Sequence, residues 1–119
     1  MADLTRQDVI KILAVTGAAR LAGVDLSGLD LHGLNFSGAD LIRADLSGTD
    51  LSNAYMRGAS LEFACLQGAL FVGANLKEVN LKGADLRSAD LSNANLTDSN
   101  LYEADLQGAK LDGTVGLTR

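Results

Sequence analysis

From Leu21 onward a large apolar residue returns at every fifth position, and the register never slips. The series runs through Leu26, Leu31, Phe36, Leu41, Met56 and Phe71 to Leu111. Of its 19 members, 16 are Leu, two Phe and one Met. Two places before each stands a small or medium residue, Ala in 13 of the 19, with Val24, Leu29, Leu34, Thr49, Val79 and Ser99 as the exceptions. The place between is Asp or Asn in 13 of the 19, and the place after the next is often Gly, as at Gly23, Gly28, Gly33, Gly38 and Gly48. A period of five fits neither the 3.6 of a helix nor the 2.0 of a strand. On a continuous helix successive Leu residues would advance about 500°, spiral around every face and bury nothing together. A flat strand would throw alternate Leu residues onto opposite faces. A short extended piece followed by a corner, repeated, resolves the conflict. Ala and Leu, two apart, then point the same way, and Gly, Asn, Asp and Ser supply corners.

The motif A-D/N-L-x-x, as in Ala39-Asp40-Leu41-Ile42-Arg43 and Ala84-Asp85-Leu86-Arg87-Ser88, resembles the pentapeptide-repeat family over residues 19–113. The resemblance implies an all-β solenoid, a right-handed quadrilateral β-helix with four units per coil. The central Leu and the preceding Ala face inward, and the other three positions face outward. On that basis 19 units make 4.75 coils, a stack roughly 23 Å long at the strand spacing.

Composition agrees with a core built from many small repeated contacts. The chain of 119 residues is 47% hydrophobic but only 4% aromatic, with neither Trp nor Pro, as suits a repeat protein. A net charge of -5 argues against direct nucleic-acid binding, which needs a basic surface. A single Cys forms no internal disulfide, and the opening residues have no signal-peptide layout. No apolar run is long enough to span a bilayer. A cytoplasmic protein is the expectation.

Solenoids need end caps. Residues 5–15 read as an amphipathic helix over the first coil, with Thr5 and Asp8 as a capping box, Val9, Ile12 and Leu13 on one face and Gly17 as a stop. The expected organisation is therefore a capping helix within 1–18, repeats over 19–113 and a tail over 114–119. The tail is too short for a second helical cap, so a homodimer through the C-terminal coil is expected, as in several proteins resembling this family.

Taking residue number modulo 20 as the side of the coil, the Asp/Asn places form columns such as Asp25, Asp45, Cys65, Asp85 and Asp105. Because Asn replaces Asp freely, turn chemistry is the shared role, not proton transfer. Cys65 lies between acidic neighbours, which blunt a thiol. His32 stands alone in its column with Ser52 next, and no second His or Cys completes a metal site. Gly68 to Gly73 has phosphate-loop spacing without the Lys that must follow. No catalytic, cofactor-binding or metal residue is expected, and the chain is not expected to be an enzyme.

The pattern breaks in one coil, where Tyr55, Ser60, Cys65 and Leu70 replace Asp or Asn on four successive sides. With Ile42, Phe63 and Val72 facing outward and Arg43 and Arg57 at the rim, Ile42, Arg43, Tyr55, Arg57, Phe63, Leu70 and Val72 form a candidate partner-binding belt. The expected function is a non-catalytic interaction scaffold for a protein partner. The alternative, implied by the resemblance and by a net charge of -6 over 19–113, is a DNA-mimicking inhibitor or protector of a DNA topoisomerase such as gyrase.

Overall fold

The computed structural model describes residues 4–15 and 18–117. Its one helix among these, α1 (Arg6–Leu13), is followed by coil after coil in which single residues bridge in parallel to the residue 20 positions later. Bridged positions recur every fifth residue, from Arg20↔Asp40 to Asn95↔Val115. One coil therefore takes 20 residues and has four sides. Within a side, Leu61 donates its N–H to Asn80 O at 2.8 Å, Ser60 donates to Ala39 O at 2.9 Å, and Phe63 donates to Lys82 O at 2.9 Å. These three bonds in each unit, two to the coil above and one to the coil below, satisfy the backbone without long strands.

Each corner is a four-residue turn closed by a bond such as Ala64 N–H to Leu61 O, 3.1 Å. The third residue of the turn has positive φ, as at Phe63 (58°) and Gly83 (66°), which is the type II pattern. This is why Gly is frequent at that place in the unit.

The interior is the two-residue stripe the spacing predicts. Every fifth-position residue from Leu21 to Leu96 is buried, and so are the Ala residues from Ala39 to Ala94. Columns such as Leu41, Leu61 and Leu81 stack because their flanking residues are bridged coil to coil. A fully buried Leu is worth roughly 1.5–3 kcal/mol relative to an exposed one. The Ala place is narrow, yet it takes Thr49 by giving the hydroxyl a partner: Oγ1 donates to Leu26 O at 2.9 Å.

The N-terminal helix forms as expected but is shorter than residues 5–15. Thr5 is the N-cap, Asp8 N–H donates to Thr5 Oγ1 at 3.2 Å, and Thr5 N–H donates to Asp8 Oδ2 at 2.9 Å. The helix ends at Leu13, with Ala14 as C-cap and Val15 projecting outward; the proposed stop, Gly17, lies outside the described residues. Val9 is buried, and Ile12 and Leu13 pack on the core. Arg6 fastens the helix to the rod by donating to Asp30 O (2.9 Å) and His32 O (3.2 Å). At the other end the ladder continues through Val115, whose N–H donates to Ala94 O at 3.0 Å. No helix among the described residues is long and apolar enough to cross a membrane.

Candidate functional site

Between the interior and the corners, the Asp/Asn place has one repeated job. Its Oδ1 accepts from the N–H two residues on: Asp45 from Ser47 (3.0 Å), Asp90 from Ser92 (3.0 Å), Asn75 from Lys77 (3.1 Å) and Asn80 from Lys82 (3.0 Å). Asp and Asn present the same atom, which explains their interchange. For Asp25 and Asp90, side-chain bonding from Ser27 and Ser92, followed by the backbone bond, holds the carboxyl below the usual range. At Asp85 the first cause is Arg87, whose Nε and Nη2 lie 2.8 and 2.7 Å from its two oxygens. These carboxylates are engaged in turns and ion pairs, not poised for proton transfer.

The residues that break this rule do not form one surface. Tyr55, Ser60, Cys65 and Leu70 belong to four different bridged columns, Asn35–Tyr55–Asn75, Asp40–Ser60–Asn80, Asp45–Cys65–Asp85 and Asp50–Leu70–Asp90. A belt of this kind faces four ways. The seven candidates fall on three sides of the coil. Ile42, Arg43 and Phe63 share the corner that ends the side of Asp40 and Ser60. Leu70 and Val72 lie on the side two further round, with Tyr55 on the next face. Arg57 ends Tyr55's side and is engaged with Glu78 at 2.8 Å.

The Phe63 corner is the more organised. The Arg43 guanidinium carbon sits 4.9 Å from the centroid of the Phe63 ring, a cation–π arrangement. On its other side the ring lies over Gly83, so that a Cβ at position 83 would come within 2.5 Å of ring carbons. Lys82 and Tyr102 continue the same edge; Gly83 N–H donates to Tyr102 O at 2.9 Å, and Tyr102 is 66% exposed. Sequence reasoning missed Tyr102, although it falls in the column of Ile42. Tyr55 (57% exposed) and Leu70 (40%) are comparably open, but the cation–π pair among the described residues is at Phe63.

His32 is exposed, as expected, but it is not alone. Its Nδ1 lies 2.6 Å from Asp30 Oδ1, and Asp50 of the next coil is close by. Following only the column of His32 overlooked these two, which occupy the neighbouring Asp/Asn column. A pocket beneath the helix, lined by Leu13, Ala19, Asn35, Phe36, Ser37 and Ala39, holds about 110 Å³, well below the several hundred Å³ of a small-molecule site.

Among known proteins, the profile of the pentapeptide repeats matches residues 19–58, 54–93 and 80–115, in eight copies. No curated protein matches the sequence. Similar solved structures include the pentapeptide repeat protein Rfr23 from the cyanobacterium Cyanothece, 39% identical with a TM-score of 0.77, the match covering 79% of this chain and 65% of that one. HetL from the cyanobacterium Nostoc, a pentapeptide repeat protein involved in heterocyst differentiation regulation, is 36% identical with a TM-score of 0.58, over 82% of this chain and 53% of HetL. A pentapeptide repeat protein of the Arabidopsis thaliana thylakoid lumen is 35% identical, TM-score 0.53, over 77% of this chain and 70% of that one. The chain thus spans about two-thirds of Rfr23 and about half of HetL. With a coil of 20 residues, four bridged columns and an inward Leu and Ala in each unit, the fold is a right-handed quadrilateral β-helix, and the chain belongs to the pentapeptide repeat family.

Proposed function

We propose that the chain is a non-catalytic scaffold that engages a protein partner along the corner of Ile42, Arg43 and Phe63, extended by Lys82 and Tyr102. One observation carries this reading. Phe63 is held at φ 58° and is 44% exposed, in a column where Gly23 and Gly83 make the same turn. An L side chain in the left-handed region costs roughly 1–2 kcal/mol. Seven other non-glycine residues take the same turn, Arg43 and Glu103 of this column among them; what sets Phe63 apart is a bulky aromatic at that place, packed on Arg43 and Gly83. Arg and aromatic side chains are also the commonest anchors of protein interfaces. Leu70 and Val72 lie on another side, and Tyr55 with Arg57 on the next, apart from this corner. The test is Phe63→Gly: the variant should melt at or above the wild type while losing a partner that wild-type bait captures from native lysate. Unchanged capture, or a variant that fails to fold, refutes the reading.

The net charge of -6 over residues 19–113 favours a second reading, mimicry of DNA toward a topoisomerase. Lys77, Lys82 and Arg87 interrupt the acidic surface. A gyrase supercoiling assay separates the two, since inhibition by purified protein supports mimicry and a scaffold of the first kind leaves supercoiling unchanged. We also propose self-association through the C-terminal coil, where Leu101, Leu106 and Leu111 are only partly buried against the core. Light scattering should give a dimer for the wild type and a monomer for Leu106→Glu; a wild-type monomer at high concentration refutes it.

A further inference from the structure

The corner after Leu31 brings together a mixed set of donors found nowhere else among the described residues. Asp30 and Asp50 are bridge partners in successive coils. The backbone between them is fixed by Leu31 N–H to Asp50 O (2.8 Å) and Asp50 N–H to Leu29 O (2.9 Å). Each carboxylate uses Oδ1 in its turn, Asp30 accepting from His32 N–H at 3.2 Å and Asp50 from Ser52 N–H at 3.0 Å. The Oδ2 atoms have no hydrogen bond among the described residues. One ligand atom from each of Asp30, His32 and Asp50 lies within 4.8 Å of the other two.

The same three places on another side show what such a corner accommodates. At Asp85, Arg87 and Asp105 the residue after the core Leu is a cation: the Arg87 guanidinium bonds Asp85 at 2.7 and 2.8 Å and lies 4.0 Å from Asp105. At Asp30 and Asp50 that place is His32. Arg6 of the helix approaches only Asp30, at 3.6 Å, and no cation among the described residues is in ion-pair range of Asp50. The two stacked carboxylates thus have an imidazole where their counterparts have a fixed positive charge.

We propose that Asp30, His32 and Asp50 form a site for one divalent transition-metal ion of the zinc type. One imidazole with two carboxylates suits zinc and its neighbours, whereas calcium and magnesium take oxygen ligands alone. Tetrahedral zinc, with bonds near 2.0–2.2 Å, needs ligand atoms about 3.4 Å apart. Rotation of the exposed side chains, which must part His32 Nδ1 from Asp30 Oδ1 and bring in Asp50, adjusts the present spacing without moving the locked backbone, and water fills the remaining position. Because the ion would join two coils, binding it stabilises the folded rod.

The experiment uses the full chain, free of any polyhistidine tag, at pH 7.5. Zinc alone is titrated in competition with a chromogenic chelator. The wild type should bind one ion per chain, with a melting temperature that rises on zinc addition. His32→Ala and Asp50→Asn should each weaken binding about tenfold or more and abolish the rise, with circular dichroism unchanged. Absence of binding up to about 1 mM zinc (a Kd worth only some 4 kcal/mol) overturns the assignment. So do folded variants that bind as tightly as the wild type, and so does calcium binding of equal strength.

Discussion

The corner of Gly28, Gly48, Gly68, Ser88 and Gly108 and the corner of Gly23, Arg43, Phe63, Gly83 and Glu103 follow one backbone path. The φ angles run from 61° to 74° on the first and from 58° to 70° on the second. The hydrogen bonds match as well: Gly68 N–H donates to Arg87 O at 3.0 Å and Phe63 N–H to Lys82 O at 2.9 Å. Only the side chains differ. The first corner is nearly bare, and a Cβ added at Gly68 would meet nothing within 4 Å. The second carries a guanidinium on an aromatic ring on a glycine. The turn is satisfied equally by both, so the fold does not explain the second. Its extra side chains add exposed aromatic and cationic surface to a turn that closes without them.

Substitutions of graded severity probe this contrast, beginning with the interior that both corners share. Leu66→Asp places a charge where the native side chain is fully buried. An unpaired charge there, added to the lost packing, costs several kcal/mol, comparable with the whole stability of a domain of this size. The variant should show no cooperative melt, whereas Gln67→Asp, at the exposed place beside it, should melt like the wild type. A near-native melt of Leu66→Asp would mean that the Leu column is not the core. Next comes the pair Gly83→Val and Gly68→Val. Both take the left-handed penalty of about 1–2 kcal/mol, but position 83 also meets the Phe63 ring, which adds about 1–3 kcal/mol. Denaturant melts should rank them in that order, and the gap should close in a Phe63→Ala background. Equal losses would show that the ring does not rest on Gly83.

The smallest effect tests the turns common to all sides. The Asp90 carboxyl is held below its ordinary value near 3.8, chiefly by the Ser92 side chain. A folded-state value below the unfolded one gives stability that is complete above the unfolded value and is lost as pH falls through the folded one. Between pH 5 and 3 the melting temperature of the wild type should therefore fall slightly more than that of Asp90→Asn, which keeps the Oδ1 bond at any pH. Parallel curves would contradict the assignment.

Register, interior and cap were legible because each is a matter of period. A Leu every five residues calls for a short extended piece and a corner, and Thr5 with Asp8 states its own geometry. The four sides, and with them the counting in twenties, came from the family resemblance, since a period of five does not set the number of units per coil. The sequence places Tyr55, Ser60, Cys65 and Leu70 on four successive sides, and the bridged columns agree. What counting along a column hides is the contact between columns. His32 looked solitary because Asp30 and Asp50 belong to the adjacent column, and Arg6 reaches that corner only through the placement of α1. The strain at Phe63 did have a signal, a bulky residue at the place in the unit where Gly is common. Tyr102 had one too, since counting in twenties from Ile42 passes through Glu62 and Lys82 and arrives at it.

The bond that Asp45 and Asn75 make alike, through one oxygen and one backbone N–H, separates electrostatics from architecture. Exchanging acid for amide at such a place alters the potential above that face by one elementary charge and leaves the turn as it was. A lineage can therefore repaint the rod, anionic here and neutral there, to suit successive partners without renegotiating its shape.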